Sequence, residues 1–445
     1  AKLPPAHVMV VELRDDARPQ ITTKRYWELD FSRKEQWSIP EWEARVEAKL
    51  REAVRDRLVS DVPLGVHLSG GIDSSLVVAC MAQEQSEPIR TFSIGFAEAA
   101  YDERPFARMV AARYGTQHEE FVVESDAVAV LPDLVRQYEE PYADSSALPT
   151  WYLCRETRRH VTVALNGDGG DENFAGYTRY NGWQLYRQFR HVPFKAVGGR
   201  LAAIVERATG AAFARRARKF FAYHDASPTD FYLNMLAYFR PGEKASIYDP
   251  AFAERAQESR WRRALDEQLR AHGQDAWLDR VLAADIATYL PDDLLVKVDI
   301  ASMAHGLEVR SPFLDHELLE LTAAMPPEFK LRGHDKKWIL KRIARRLLPV
   351  ACVDRPKAGF SVPLAHWFRG ALLPYARERL LDPAFLSRGF RHDGVAALLD
   401  AHASGRADHA NKLWALLTLA EWYATWFSSV PTEVSHDAIR QGTRL

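Results

Sequence analysis

The sequence predicts an α/β fold, a doubly wound parallel sheet followed by a large helical C-terminal part. Three observations carry the prediction. Short apolar stretches rich in β-branched and aromatic residues recur at 62–67, 90–96, 119–123 and 159–165. Helical stretches separate them, and strand–helix–strand alternation at that spacing makes parallel pairs. Two of the strands run straight into glycine-rich loops, Leu68-Ser69-Gly70-Gly71-Ile72-Asp73-Ser74-Ser75 and Asn166-Gly167-Asp168-Gly169-Gly170-Asp171-Glu172. Ligands in open parallel sheets sit at such carboxyl ends of strands. From 181 onward the pattern is mainly helical, rich in Arg, Trp and Tyr.

In chain order, residues 1–29 alternate apolar runs with polar turns and read as a hairpin leading to a linker. Residues 41–59 carry apolar side chains at helical spacing among charges, an amphipathic helix for one face of the sheet. Val62-Pro63-Leu64-Gly65-Val66-His67 is the first buried strand, and the apolar run from Leu76 starts the helix behind it. Residues 90–96 are the second strand, Tyr101-Asp102-Glu103 opens a helix over 104–114, and 119–123 is the third strand. A polar loop at 139–150 precedes another helix. The stretch 159–165 is a strand feeding the acidic loop. Between 289 and 315, Lys297, Asp299, Glu308, Arg310 and Asp315 are expected to form a charge network fixing two helices, with contact of Arg310 or His305 to a substrate carboxylate as the alternative. Lys336-Lys337-Trp338 begins a further helix, and a glycine-containing loop follows at 355–360. Residues 392–428 read as amphipathic helices for packing and a partner surface.

A strand that breaks at two glycines and re-enters as a helix aims backbone N–H groups and a helix dipole at one spot, which suits phosphate. Gly70 and Gly71 let the backbone come close, Ser69, Ser74 and Ser75 add hydroxyls, and Asp73 is a carboxylate able to hold Mg²⁺ against phosphate oxygens. The plainer alternative is a capped turn. No Walker-type G-x-x-x-x-G-K-[ST] occurs, and no G-x-G-x-x-G opens a helix. In the second loop clustered carboxylates repel one another unless a cation joins them. A divalent ion shared by Asp73 and Asp171 is the natural solution, a solvated acidic turn the alternative.

Ser69-Gly70-Gly71-Ile72-Asp73-Ser74-Ser75 resembles the pyrophosphate loop of the ATP pyrophosphatases, the adenine nucleotide alpha hydrolase-like fold. The chain as a whole is similar to the synthetase domain of the glutamine-dependent asparagine synthetase family, over roughly 1–30 and 40–430. The acidic loop matches except for Asn166, where the family has Ser, and Asn173, where it has an aliphatic residue. The twenty-residue interval from Lys337 to Lys357 matches two phosphate-facing lysines, and Ile300 stands where the family has Arg.

The resemblance implies ATP lying over Leu68, Ser69, Gly70, Gly71, Asp73, Ser74 and Ser75, its adenosine between Leu68, Ile94 and Asn166-Gly167. It implies Mg²⁺ on Asp73 and Asp171, cationic stabilisation by Lys337 and Lys357, and a proton-accepting role for Asp168. The implied reaction is activation of an acid, L-aspartate first, as an acyl-adenylate with pyrophosphate release, followed by transfer of ammonia to give asparagine. Alternatives are a ring-closing ligase, a ligase for a sugar or peptide carboxylate, and an inactive scaffold. The same resemblance divides the chain into 1–30, the end of a glutaminase domain and its linker, a synthetase domain at 40–430 (nucleotide core about 60–180, helical part about 181–430), and a tail at 431–445. Leu3-Pro4-Pro5 and Arg25-Tyr26-Trp27 carry the first of these. The family's glutaminase uses an N-terminal cysteine, whereas this chain starts at Ala1 with no cysteine before Cys80. It therefore reads as a fragment or processed product that uses ammonia and does not hydrolyse glutamine.

Composition sets the outer bounds. In 445 residues, 59 Lys and Arg face 60 Asp and Glu, for a net charge of −1, and no basic run argues for a nucleic-acid partner. Cys80, Cys154 and Cys352 lack C-x-x-C spacing and read as reduced thiols of a cytoplasmic protein. No apolar run reaches membrane-spanning length. A homodimer is compatible with the Trp-rich C-terminal helices.

Overall fold

Five strands form an all-parallel sheet in the order β5-β4-β3-β6-β7 in the computed structural model. They are β3 (Leu64–His67), β4 (Arg90–Phe96), β5 (Gln117–Val123), β6 (Val163–Leu165) and β7 (Glu308–Arg310). A separate antiparallel hairpin, β1 (His7–Glu12) and β2 (Gln20–Arg25), precedes them. The structure describes residues 2–13, 19–96, 98, 101–123, 127–189, 195–209, 221, 226–256, 260–271, 276–355 and 362–427. The expected tail at 431–445 lies outside these.

The chain forms two units. One comprises Ala1–Val123, Pro149–Ala237 and Glu258–Phe360 and contains the sheet; the other comprises Glu124–Leu148, Tyr238–Gln257 and Ser361–Leu445. In the first, helix α1 (Ile39–Asp56) begins at Ser38, whose N–H and hydroxyl both donate to Glu41 Oε2 at 2.8 and 2.7 Å, a capping box. Its apolar stripe, Trp42, Val46 and Leu50, packs with α2 (Ile72–Glu84) and the helix Trp338–Leu347 in one core. Helix α2 is apolar on every face because it is covered all round, Leu76 to Met81 being buried. Helix α3 (Arg104–Tyr114) ends at Gly115, in the left-handed region. A second core gathers Phe31, from the segment before α1, with Tyr180, Trp183, Phe231, Tyr232 and Leu282 from the helical part of this unit. The other unit is helical, built on Ala127–Tyr138, Leu372–Leu380, His392–Ala403 and Ala410–Phe427. Within it Tyr375 and Arg379 both meet Glu421, at 2.6 and 2.9 Å.

Three expectations shift. The strand read at 159–165 shortens to Val163–Leu165 because the carbonyl of Thr157 captures the amides of His160 and Val161, closing the preceding helix. The charged stretch at 308–310 is itself a strand, paired to β6. The expected five-residue charge network does not form as one. Arg310 takes Glu308 at 2.6 Å and the carbonyls of Arg57 and Val59, Asp315 pairs with Arg57 and caps the helix His316–Ala323, and Asp299 is exposed with no ion pair among the described residues. All three cysteines are buried and unpaired. No helix among the described residues is long and apolar enough to cross a membrane.

Candidate active site

The strand order places the reversal of winding between β3 and β6, which pair directly (Leu64 opposite Val163, Val66 opposite Leu165). Crevices at such switch points are where open α/β sheets bind ligands. The loops leaving these two strands are the two the sequence singles out.

After β3, Leu68 keeps its side chain in the core and its N–H on the Phe92 carbonyl at 2.8 Å, so only its backbone faces the loop. Ile94, in β4, is likewise buried. Gly70 takes φ +71° and has no room for a Cβ, which would lie 2.5 Å from the Ala107 nitrogen. The Ser69 and Ser74 hydroxyls meet at 3.1 Å, and Ser74 Oγ also accepts from the Ser69 N–H at 3.2 Å. Gly71 then starts α2 in an extended conformation, and Ser75 is fully buried one turn in. The result is a rigid turn pointing a helix N-terminus into the crevice.

After β6, Asn166 answers to three groups. Its Oδ1 accepts from Ser311 Oγ at 2.6 Å, its Nδ2 donates to Asp168 Oδ2 at 2.5 Å, and its N–H donates to the Arg310 carbonyl at 3.0 Å. Gly167 packs its Cα against α2, since a Cβ there would lie 2.7 Å from the Ser74 nitrogen. Asn173, unexplained by the sequence, is 1% exposed and donates through Nδ2 to the Phe313 carbonyl at 2.5 Å, pinning the acidic turn to the Pro312–Leu314 segment. Tyr177 donates to Glu172 Oε1 at 2.5 Å.

Lys337 joins the two loops. Its Nζ lies against Asp73 Oδ2 and 2.6 Å from Asp171 Oδ1. Its backbone is left-handed (φ 54°), held by its N–H on the Phe174 carbonyl at 3.1 Å. Strain of about 1–3 kcal/mol at a non-glycine residue collects where surroundings over-determine a functional position. Gly176 makes room for this meeting, because a Cβ would fall 1.8 Å from Asp171 Oδ1 and 2.2 Å from Lys337 Cε. Burial works to lower the Lys337 pKa, but Asp171 and Asp73 outweigh it and the net shift is upward, so the ammonium is firmly charged. Asp168 is pushed up, mainly by burial and further by Asp171 and Asp73, with Lys297 and Asn166 pulling the other way.

The structure thus brings together Ser69, Gly70, Gly71, Asp73, Ser74, Asn166, Gly167, Asp168, Asp171 and Lys337. Lys357 lies outside the described residues. Arg355 was missed by the sequence reading. Its Nη2 approaches to 3.5 Å from where a Gly71 Cβ would stand, while it pairs with Glu103 at 2.8 Å and lies over the Phe106 ring. Its place two residues before Lys357 was the only hint.

A family model described as asparagine synthase matches residues 45–424. The chain belongs to the asparagine synthase family. These are ATP-dependent ligases that form carbon–nitrogen bonds. The chain is 28% identical over 449 residues to a glutamine-hydrolysing asparagine synthetase 1 of Bacillus subtilis, covering 97% of this chain and 68% of that one. A Mycobacterium bovis protein provisionally named a glutamine-hydrolysing asparagine synthetase is 31% identical over 408 residues, 88% of this chain and 59% of its own length. A Gibberella zeae protein named amidase chry2 is 26% identical over 411 residues, 83% and 60%. The chain therefore spans about six-tenths to two-thirds of the length of these relatives.

Proposed function

We propose that this chain makes an amide in two ATP-dependent steps, and the observation that carries it is the Lys337 ammonium set between Asp73 and Asp171 at the switch point of the sheet. ATP lies along the 68–75 loop with its phosphates against the N-terminus of α2 and its adenosine between Leu68, Ile94 and Asn166-Gly167. A substrate carboxylate oxygen attacks the α-phosphorus, the bond from that phosphorus to the bridging oxygen breaks, and pyrophosphate leaves an acyl-adenylate. Ammonia then adds to the acyl carbon, AMP departs, and Asp168, its pKa raised by burial, accepts a proton from the nitrogen. Lys337, Lys357 and Arg355 hold phosphate charge as it shifts to the leaving group, so positioning and electrostatics supply most of the rate.

Asp73 and Asp171 suit Mg²⁺. In this reading they would hold the ion as hard oxygen donors that both face the Lys337 ammonium. Mg²⁺ is bound through one or two carboxylates with the substrate's phosphates completing the shell. When bound it supplies neutralising charge to the phosphates.

L-aspartate, giving asparagine, is the acceptor favoured by the sequence resemblance and by the names of the B. subtilis and M. bovis relatives. The decisive measurement is ATP–pyrophosphate exchange with the purified chain and L-aspartate, followed by product analysis with ammonium. Exchange that requires an acid, with AMP as the nucleotide product, supports the reading. ADP and phosphate as products, or exchange independent of any acid, would sink it.

A further inference from the structure

A cavity of about 390 Å³ opens beside Asn166, between β7 and the helical stretch from Pro291 to Asp299. It adjoins the acidic loop through its wall residue Ser311. Ser311, on its wall, donates to Asn166 at 2.6 Å, and Asn166 reaches Asp168 at 2.5 Å. Val309, another wall residue, pairs with Ala164 in the strand that feeds the acidic loop. An acid whose carboxylate reached the ATP loop past Asn166 would have this wall beside its body.

The wall chemistry differs from what aspartate needs. Five of the seven lining residues are apolar, Leu295, Val298 and Val309 among them, and the only charged one is Asp299. Aspartate carries a second carboxylate, and a carboxylate set against apolar surface with no cation is costly. None of the lining residues is a cation. Arg310 is held by Glu308 and by the carbonyls of Arg57 and Val59, and Lys297 is buried and does not line the cavity. Asp299 is exposed and has no ion pair among the described residues, which leaves it able to receive an ammonium. A space of this size with mostly apolar walls and a few placed polar groups is the usual form of a site for a larger organic ligand.

We propose that this cavity is the acceptor subsite, and that it prefers a carboxylic acid with an apolar body and a distal amine over aspartate, Val298, Leu295 and Val309 taking the body and Asp299 the amine. The proposal rests on the ligase reading for its chemistry but not on aspartate as the acid. Activation follows the same balance, the acid's carboxylate displacing pyrophosphate from ATP.

The test compares ATP–pyrophosphate exchange with L-aspartate, hexanoate and 6-aminohexanoate, alongside saturation-transfer NMR of the 6-aminohexanoate methylenes on the same protein. The expected result is kcat/KM for 6-aminohexanoate at least about tenfold above that for aspartate, the scale on which apolar pockets discriminate. Asp299→Asn, at an exposed position, should lose about tenfold with 6-aminohexanoate and little with hexanoate, as removal of one charge-assisted contact predicts. Val298→Arg should move the preference toward aspartate. Aspartate preferred by the wild type, or Asp299→Asn lowering both acids equally, overturns the proposal while leaving the ligase reading standing. Binding of 6-aminohexanoate that Val298→Arg abolishes, without exchange by any acid, supports the subsite and removes the ligase reading. Neither binding nor exchange removes both.

Discussion

Two clusters of buried charge in the same unit invite comparison. Around Asp285, which is fully buried, Arg179 donates from Nη2 at 2.9 Å and the hydroxyls of Tyr180 and Tyr232 each donate at 2.5 Å. The guanidinium also lies over the Tyr177 and Tyr289 rings at 3.7 and 4.4 Å. One carboxylate meets one guanidinium and two phenols. Around Lys337, two carboxylates share one ammonium, their side chains remain 18–20% exposed, and the lysine backbone is left-handed. The first cluster is closed, saturated and balanced, which suits a strut. The second is strained and open to the crevice, with acidic charge suited to a cation and a polyanion arriving together. Buried charge alone does not distinguish structure from chemistry; saturation and access do.

The largest effect is expected at Asp285. Asp285→Ala leaves a buried guanidinium without its carboxylate and should cost about 3–5 kcal/mol of unfolding free energy. Urea denaturation followed by circular dichroism reads it, and a loss below about 1 kcal/mol would mean the network is no strut. At the other cluster the effect should fall on rate. Asp73→Asn or Asp171→Asn should cut acid-dependent pyrophosphate release by about 10²–10³-fold while the urea midpoint barely moves. Near-normal turnover in both would remove the Mg²⁺ assignment.

Glu172 stands between the clusters, next to Asp171 in sequence and bonded to Tyr177, whose ring lies under Arg179. Burial, aided by Asp171, pushes its pKa from 4.5 up to about 7. A raised folded-state pKa means that the folded protein binds this proton more tightly than the unfolded chain. Stability from Glu172 is therefore full below about pH 4.5 and is lost as pH rises through 7. Glu172→Gln keeps an acceptor for Tyr177 and should stabilise the protein by about 1–3 kcal/mol at pH 8 and by little at pH 4.5. Melting curves across that range check it, and a constant difference would place the ionisation elsewhere. The smallest effect is expected at Arg355. Arg355→Ala should raise KM for ATP about tenfold with a smaller change in kcat, as loss of one charge-assisted phosphate contact predicts. An unchanged KM would confine this side chain to its pairing with Glu103.

By itself the sequence determined the parallel sheet, the two glycine-rich strand exits and the family. Each rests on local spacing: apolar runs that set strands and helices, and glycines that let a strand turn into a helix. The extents of β4 and α3 follow residue for residue. What lay beyond it depends on partners distant in the chain. Asp73 and Lys337 are 264 positions apart, Asn173 and Phe313 are 140 apart, and no local pattern marks either pair. The strand Glu308–Arg310 was hidden because its charged ends look like surface until β6 supplies a ladder. Asp299 looked like a network member, yet it lies exposed on the wall of the cavity beside β7 while Arg310 turns to Glu308. Local propensity writes the elements. Which charges meet is decided by how the elements close on one another, because an ion pair needs only a few ångströms of proximity and carries no signature along the chain.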